Sequence, residues 1–365
     1  MLISAAALRH AVKTVCLGAG SLEPEAAQVA ENLVEANLCG HDSHGVGMMP
    51  RYIHSALDGR LQVNQHARIV SEAGAVLVVE GCRGYGQVVA HEATALAIAR
   101  VPRQGVSVLS LRNAHHIGRV GAWAALCSAA GYISMHFVNV VGHAPIVAPF
   151  GGTDARLATN PICVALPDMG DGPLILDMAT SRIALGKARV AMHKGEPAPP
   201  EALIDAQGRP TLDPGVMYRR PQGALLPFGL HKGYGLAVMC ELLAGALSGG
   251  GTAQPAHVRD NSAVNNMLSI VIDPATFGDT AAFRDEARAL LAYVTASPPA
   301  EGVERVLLPG EPERISRARR LREGIPVDDK TWAGLVEVGA LVGVDVEAEA
   351  RGAVQGASSD GAPAR

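Results

Sequence analysis

Aromatic residues make up only 4% of the 365 positions, and there are just 2 tryptophans. The 48% apolar share is therefore carried mainly by small aliphatics, and the core must close on Ala, Val and Leu. No run of roughly 18 uninterrupted apolar residues occurs, so no membrane span is expected. The opening MLISAAALRHAVK lacks a long apolar stretch ending in a cleavage site, which argues against a secretory signal. Cys16, Cys39, Cys82, Cys127, Cys163 and Cys240 are scattered without a CxxC pair. That excludes the usual zinc and disulfide spacings and suits reduced thiols in a cytoplasmic protein. Net charge is −4 with a pI near 6.4, so no global basic field invites nucleic acid.

The usual phosphate and hydrolase signatures are missing too. Gly18-Ala19-Gly20 and Gly84-Tyr85-Gly86 both lack the third glycine of GxGxxG. Gly186-Lys187 continues into Ala188, so there is no Walker loop. His91-Glu92 has Ala95 where HExxH needs histidine, and Ser43 sits outside any GxSxG elbow.

What is abundant is glycine: 41 residues, a share well above the usual ~7%. Mean hydropathy of +0.18 is too high for a disordered chain. The length suits about two domains. Residues 22–39 predict an amphipathic helix, with Ala26, Val29, Ala30, Leu33, Val34 and Leu38 at 3.6 spacing and Ser21 as N-cap. Another helix is expected over Pro50–Leu57. From about residue 68 strands and helices alternate: strands at Val76–Glu80, Val106–Leu111 and Ile133–Val138, helices at Gln87–Arg100 and Val120–Ala130. Further strands are expected at Pro161–Leu166, Leu174–Met178 and Leu268–Asp273. This is the pattern of an α/β protein. Leu230–Leu247 reads as a long helix burying Leu236, Met239, Leu242, Leu243 and Ala246. Phe283, Ala287, Leu290, Leu291 and Val294 mark another. The Arg314–Glu323 stretch reads as a solvated helix face, Asp329–Val342 as a last helix, and 350–365 as a disordered tail.

Four polar clusters carry chemistry. His41-Asp42-Ser43-His44 lies between Gly40 and Gly45; it is either a site or a polar turn after a helix. Asn113 to Gly121 (NAHHIGRVG) joins a strand to a helix start, whose free N–H groups suit an anion that Arg119 can also grip. Asp177 ends an apolar strand, where a carboxylate needs a partner; it orients a histidine or caps the next helix. His231-Lys232-Gly233-Tyr234-Gly235 opens the long helix.

Together HDSHGVGMMPRY, NAHHIGRVGAWA, VAPFGG followed by ATNP, LDMATS, LLPFGLHKGYGLAVMCELLAGALSGG, LLPGEPE and REGIPVDDKTW resemble the type-2 malate/L-lactate dehydrogenase family. Residues from about 20 to 342 are covered, and the likeness is greatest to its hydroxycarboxylate dehydrogenase B branch. The resemblance implies a non-Rossmann α/β domain that binds NAD or NADP (71–308) and a mainly helical domain built from 1–70 and 309–349. It implies interconversion of small 2-oxo and 2-hydroxy acids in a homodimer, with no nucleic acid or membrane partner and no metal. By that resemblance His116 is the acid/base, His44 lies near the nicotinamide, and Asp177 holds His44 in one tautomer. Cofactor contacts fall to His44, Gly118, Arg119, Val120, Asn160, Asp177, Met178, Ala179, His231, Lys232, Gly310, Glu311, Pro312 and Glu313. Met48 stands where the family often has a carboxylate-binding arginine. Substrate contact then passes to Arg51, Tyr52 and Arg119 around Met48, in a less polar pocket. Malate, lactate or ureidoglycolate oxidation within the family is the alternative. A metal-dependent lyase or hydrolase using His41, His44 and His116 is the competing class.

Overall fold

The computed structural model describes residues 1–257 and 259–351. Its elements run β1 (Leu2–Ile3), α1 (Ala5–Gly18), α2 (Glu23–Leu38), α3 (Met49–Leu57), β2 (Arg68–Ala73), β3 (Val76–Glu80), α4 (Gly86–Gln104), β4 (Val106–His115), α5 (Gly121–Ala129) and β5 (Ile133–Val141). There follow β6 (Ile162–Asp168), β7 (Pro173–Met178), α6 (Leu185–Lys194), β8 (Leu203–Ile204), β9 (Pro210–Thr211), β10 (Ala224–Leu225) and α7 (His231–Cys240). The chain closes with β11 (Val264–Ile272), α8 (Thr280–Thr295), α9 (Glu311–Glu323), β12 (Ile325–Pro326) and α10 (Asp329–Leu341).

Among the described residues a seven-stranded mixed sheet, ordered β2-β3-β4-β11-β5-β6-β7, forms the centre of this α/β fold. Only β3 and β4 pair in parallel, because only α4 crosses between sheet neighbours that run the same way. Leu77, Val79, Leu109, Leu111 and Met267 pack there with Ala90, Ala93 and Ala97 of α4 and Trp123 and Cys127 of α5. A second core joins Leu8, Val12, Leu33, Tyr52 and Ile53 to Leu335 and Val338 of α10. The β1–β12 pairing (Ile3 opposite Ile325) ties the two chain ends into it. Leu203, Leu225 and Met217 close a third, smaller core under the β10-β8-β9 sheet.

Several expectations change. Ser21 does not cap α2; Leu22 holds the N-cap position, and the Ser21 hydroxyl donates to Glu25 Oε1 at 2.7 Å. The long helix converts to a π-helical turn at Glu241–Ala246. Its buried face is Gly233, Ala237, Cys240, Glu241 and Ala244, while Met239 and Leu242 face outward. Close packing on the sheet selects the small residues. α8 forms where expected, yet Leu290 and Val294 are exposed. α9 buries no residue, and Arg317, Arg319 and Arg322 are exposed as expected of a solvated face, while some of its arginines also reach other elements. Arg314 donates to Pro173 O at 2.7 Å, Arg317 pairs with Glu35 at 2.8 Å, and Arg320 binds Asp42 at 2.6 Å. Of the expected tail, Ala350 packs on the helical core and Arg351 ends a helical turn; the rest lies outside the described residues.

Candidate active site

His44 sits on a 3₁₀ turn, Asp42–His44, that follows α2. Asn37, near the end of α2, pins that turn. Its Nδ2 donates to Asp42 Oδ1 at 2.7 Å, and its Oδ1 accepts from Val46 N–H at 2.8 Å. Arg320 clamps Asp42 from α9. A Cβ on Gly45 would lie 2.1 Å from Asn37 Oδ1, so only glycine fits there.

His116 follows the end of β4. Asn265 Oδ1 accepts from Ile117 N–H and Asn266 Oδ1 from Asn113 N–H, both at 2.9 Å, bracketing the two histidines. A register shift between Asn265 and Met267 turns these amides toward the loop. Gly86, opening α4, lets that helix approach from the other side. A Cβ on it would lie 2.3 Å from His116 O and 2.4 Å from His115 O.

The structure brings the two site histidines together. Their rings stack with centroids 5.6 Å apart and an 18° interplanar angle. Tyr52 Oη lies 2.6 Å from His116 Nδ1, and Gln87 Nε2 donates to that oxygen at 2.8 Å. Ser43 Oγ is 3.0 Å from His44 Nδ1. Burial, reinforced by His44, Arg51, His115 and His143, holds His116 well below the usual imidazole range. Burial chiefly, then His41 and Arg119, lowers His44 to about 4. Both imidazoles are thereby kept neutral at pH 7.

Beside His44 opens a cleft of about 1120 Å³. Gly118, Arg119, Val120, Asp177, Met178, Ala179, Pro312 and Glu313 line it. Asp177 Oδ2 accepts from Gly121 N–H at 2.7 Å. Burial raises its carboxyl, while Arg119 and that N–H oppose the rise. Arg119 is 8% exposed and its Nε has no hydrogen-bond partner.

Other expected contacts lie elsewhere. Asp177 does not hold His44; Ser43 does, and Asp177 occupies the α5 N-terminus that looked open to a ligand anion. Asn160 is fully buried, donating to Ala237 O and Glu241 Oε1. Tyr52 is also fully buried, and its hydroxyl serves His116 rather than a substrate. Met48 packs against the helical core, and Arg51 donates to Ser262 O at 3.2 Å. His231 and Lys232 are exposed at the start of α7, with Phe150 edge-on to His231 at 5.9 Å. Gly310 caps α9, where Glu311 accepts from Leu308 N–H at 3.0 Å and pairs with Arg305. His41 pairs with Glu313 at 3.0 Å, so the three histidines of the competing lyase reading face separate partners. Among the described residues no group of three or more His, Cys, Asp or Glu is placed to hold a metal ion. Sequence reasoning missed Gln87, Asn265 and Asn266; no local motif marks them.

The family model described as malate/L-lactate dehydrogenase matches residues 3–336. Hydroxycarboxylate dehydrogenase B of Escherichia coli O157:H7 is 48% identical over 344 residues, covering 93% of this chain and 94% of the relative. L-lactate dehydrogenase of Cupriavidus necator is 43% identical over 320 residues, covering 87% and 91%. The solved sulfolactate dehydrogenase of Methanocaldococcus jannaschii superposes with a TM-score of 0.83 at 34% identity, covering 95% and 99%. These matches define an oxidoreductase that acts on hydroxy acids. The chain belongs to the malate/L-lactate dehydrogenase family.

Proposed function

We propose that the protein interconverts a 2-oxo acid and its 2-hydroxy acid by hydride exchange with NAD or NADP, with His116 as the proton donor and acceptor. The observation that carries this reading is the stacked His44–His116 pair beside a cleft with a buried, unsaturated guanidinium. The residues fit the cofactor. The cleft reaches the upper end of the ~300–1,000 Å³ usual for small-molecule sites. Arg119, Arg182, Lys187 and Arg189 lie along its walls as cations suited to an anionic cofactor. When bound, the nicotinamide supplies or accepts the hydride.

The chain's own residues manage the proton and the charge. Tyr52 engages His116 Nδ1, which leaves Nε2 as the atom that exchanges a proton with the substrate oxygen. In this reading Arg51, a cation whose charge reaches His116, leaves Ser262 O to fix the substrate carboxylate. Ser43 fixes the ring of His44, which stacks on His116 and shields it from water.

The depressed His116 gives a pH signature. Its protonated, donating form gains population only as pH falls below the ordinary histidine range. Rates of 2-oxo acid reduction at subsaturating substrate should therefore rise steadily from pH 8 to pH 6. Oxidation should stay flat over the same interval. An oxidation limb titrating at the unperturbed ~6.5 contradicts this assignment. A panel of 2-oxo acids, assayed with NADH and with NADPH, identifies substrate and cofactor together.

The same reading includes a homodimer. Met239 in α7, Leu242 and Leu247 just beyond it, and Leu290, Tyr293 and Val294 on α8 leave large apolar side chains in solvent. Light scattering should give twice the chain mass; a monomer at micromolar concentration overturns this part.

A further inference from the structure

Gln87 lies in the first turn of α4, fully buried, and no chemical step has so far been given to it. Its Nε2 donates to Tyr52 Oη, while its Oε1 has no partner. Tyr52 Oη in turn meets His116 Nδ1. The order of donors in this chain sets the tautomer of His116. With the Gln87 N–H donating, the Tyr52 hydrogen must point to Nδ1, and the neutral ring carries its proton on Nε2. That form can only offer a hydrogen to a substrate oxygen. A base that accepts the proton of a substrate hydroxyl needs the opposite tautomer, with Nδ1–H donating to Tyr52 Oη. The Tyr52 hydrogen then needs another acceptor.

The Gln87 amide supplies one. Its two ends exchange by a half-turn, and the end facing away from Tyr52 is unpartnered, so neither orientation sacrifices a bond that the other makes. A carboxylate at this position would instead favour the imidazolium and raise its pKa. Gly118 leaves open space beside the amide: a Cβ there would lie 3.5 Å from Gln87 Nε2 and 3.0 Å from Asn32 Oδ1, itself unpartnered. The titratable and charged groups facing His116 are His44, Arg51, His115 and His143, with the Tyr52 hydroxyl between it and Gln87.

We propose that Gln87 is a positioning residue that acts through Tyr52, its amide reversing to support either neutral tautomer of His116. No proton travels along the chain: in reduction the imidazolium gives its Nε2 proton to the substrate oxygen and becomes the Nδ1–H tautomer, in oxidation that tautomer takes the hydroxyl proton on Nε2, and the hydrogen bonds beyond Nδ1 only reorient. The inference rests on His116 being the acid/base.

The test combines kinetics with ring-nitrogen NMR on Gln87→Met, Tyr52→Phe, the double variant and His116→Gln. Gln87→Met should lower kcat/KM about tenfold, the worth of one neutral hydrogen bond, and equally in both directions, as the equilibrium constant requires. It should cost nothing further in the Tyr52→Phe background, because its effect passes through that hydroxyl. Resonances of the His116 ring should show both neutral tautomers, Nδ1–H and Nε2–H, in the parent protein and only Nε2–H in Gln87→Met. Additive losses, or an unchanged tautomer, overturn the role of Gln87 and leave His116 as acid/base standing. Full activity in His116→Gln overturns both.

Discussion

Replacing His116 with glutamine should lower kcat by about 10²- to 10⁴-fold, the usual worth of a positioned acid/base, while NAD(P)H still binds. Glutamine keeps the size and a hydrogen-bonding end, so the loss measures proton transfer rather than packing. The geometry predicts the split. His116 meets Tyr52 through Nδ1 and stacks on His44, whereas Arg119, Asp177 and Ala179 line the cleft. Quenching of nucleotide fluorescence should thus give an unchanged Kd, and turnover with the best 2-oxo acid should collapse. An intact kcat removes His116 from the chemistry.

Gly86→Ala should strike fold and site together. The new methyl would meet two backbone carbonyls, His116 O at 2.3 Å and His115 O at 2.4 Å, and neither can swing aside as a side-chain end could. α4 must retreat or the histidine loop must shift. Overpacking of this kind costs about 1–3 kcal/mol, and for a chain of this size each kcal/mol lowers Tm by roughly 1 °C. Because Gln87 is the next residue, any retreat of α4 also lengthens its bond to Tyr52. Thermal unfolding and kcat should therefore fall together; a fall in Tm with full kcat would show that the loop absorbs the methyl elsewhere.

Much of the architecture was legible because it rests on periodicity. Val76–Glu80 is a strand with the expected bounds, and α2, α3, α4 and α5 fall within a few residues of their expected limits. The face of α7 was not legible. A helix that passes into a π turn rotates its side chains away from the 3.6 register, and the face turned inward is Gly, Ala and Cys with the hydrogen-bonded Glu241. Two-residue strands such as β1, β8 and β12 carry no period at all. They exist through tertiary pairing, as Ile3 opposite Ile325 shows.

The site divides in the same way. His44 and His116 announced themselves through glycine-flanked clusters, and the structure stacks them. Their supporting groups come from distant elements: Tyr52 from α3, Gln87 from α4, Asn265 and Asn266 from β11. Such partners share no local spacing. Asp177 was correctly singled out as a carboxylate in need of a partner. That partner is a helix N–H rather than a histidine, because α5 begins directly over the end of β7.

Hydride transfer is the central claim, and isotope tracing tests it most directly. The enzyme would be incubated with a 2-oxo acid and NADH or NADPH deuterated at C4 of the ring, and the product examined by mass spectrometry and NMR. The expected result is one deuterium on C2 of the 2-hydroxy acid and a solvent hydrogen on its oxygen. A product carrying no deuterium at C2, or none formed with either nucleotide across the panel, would contradict it.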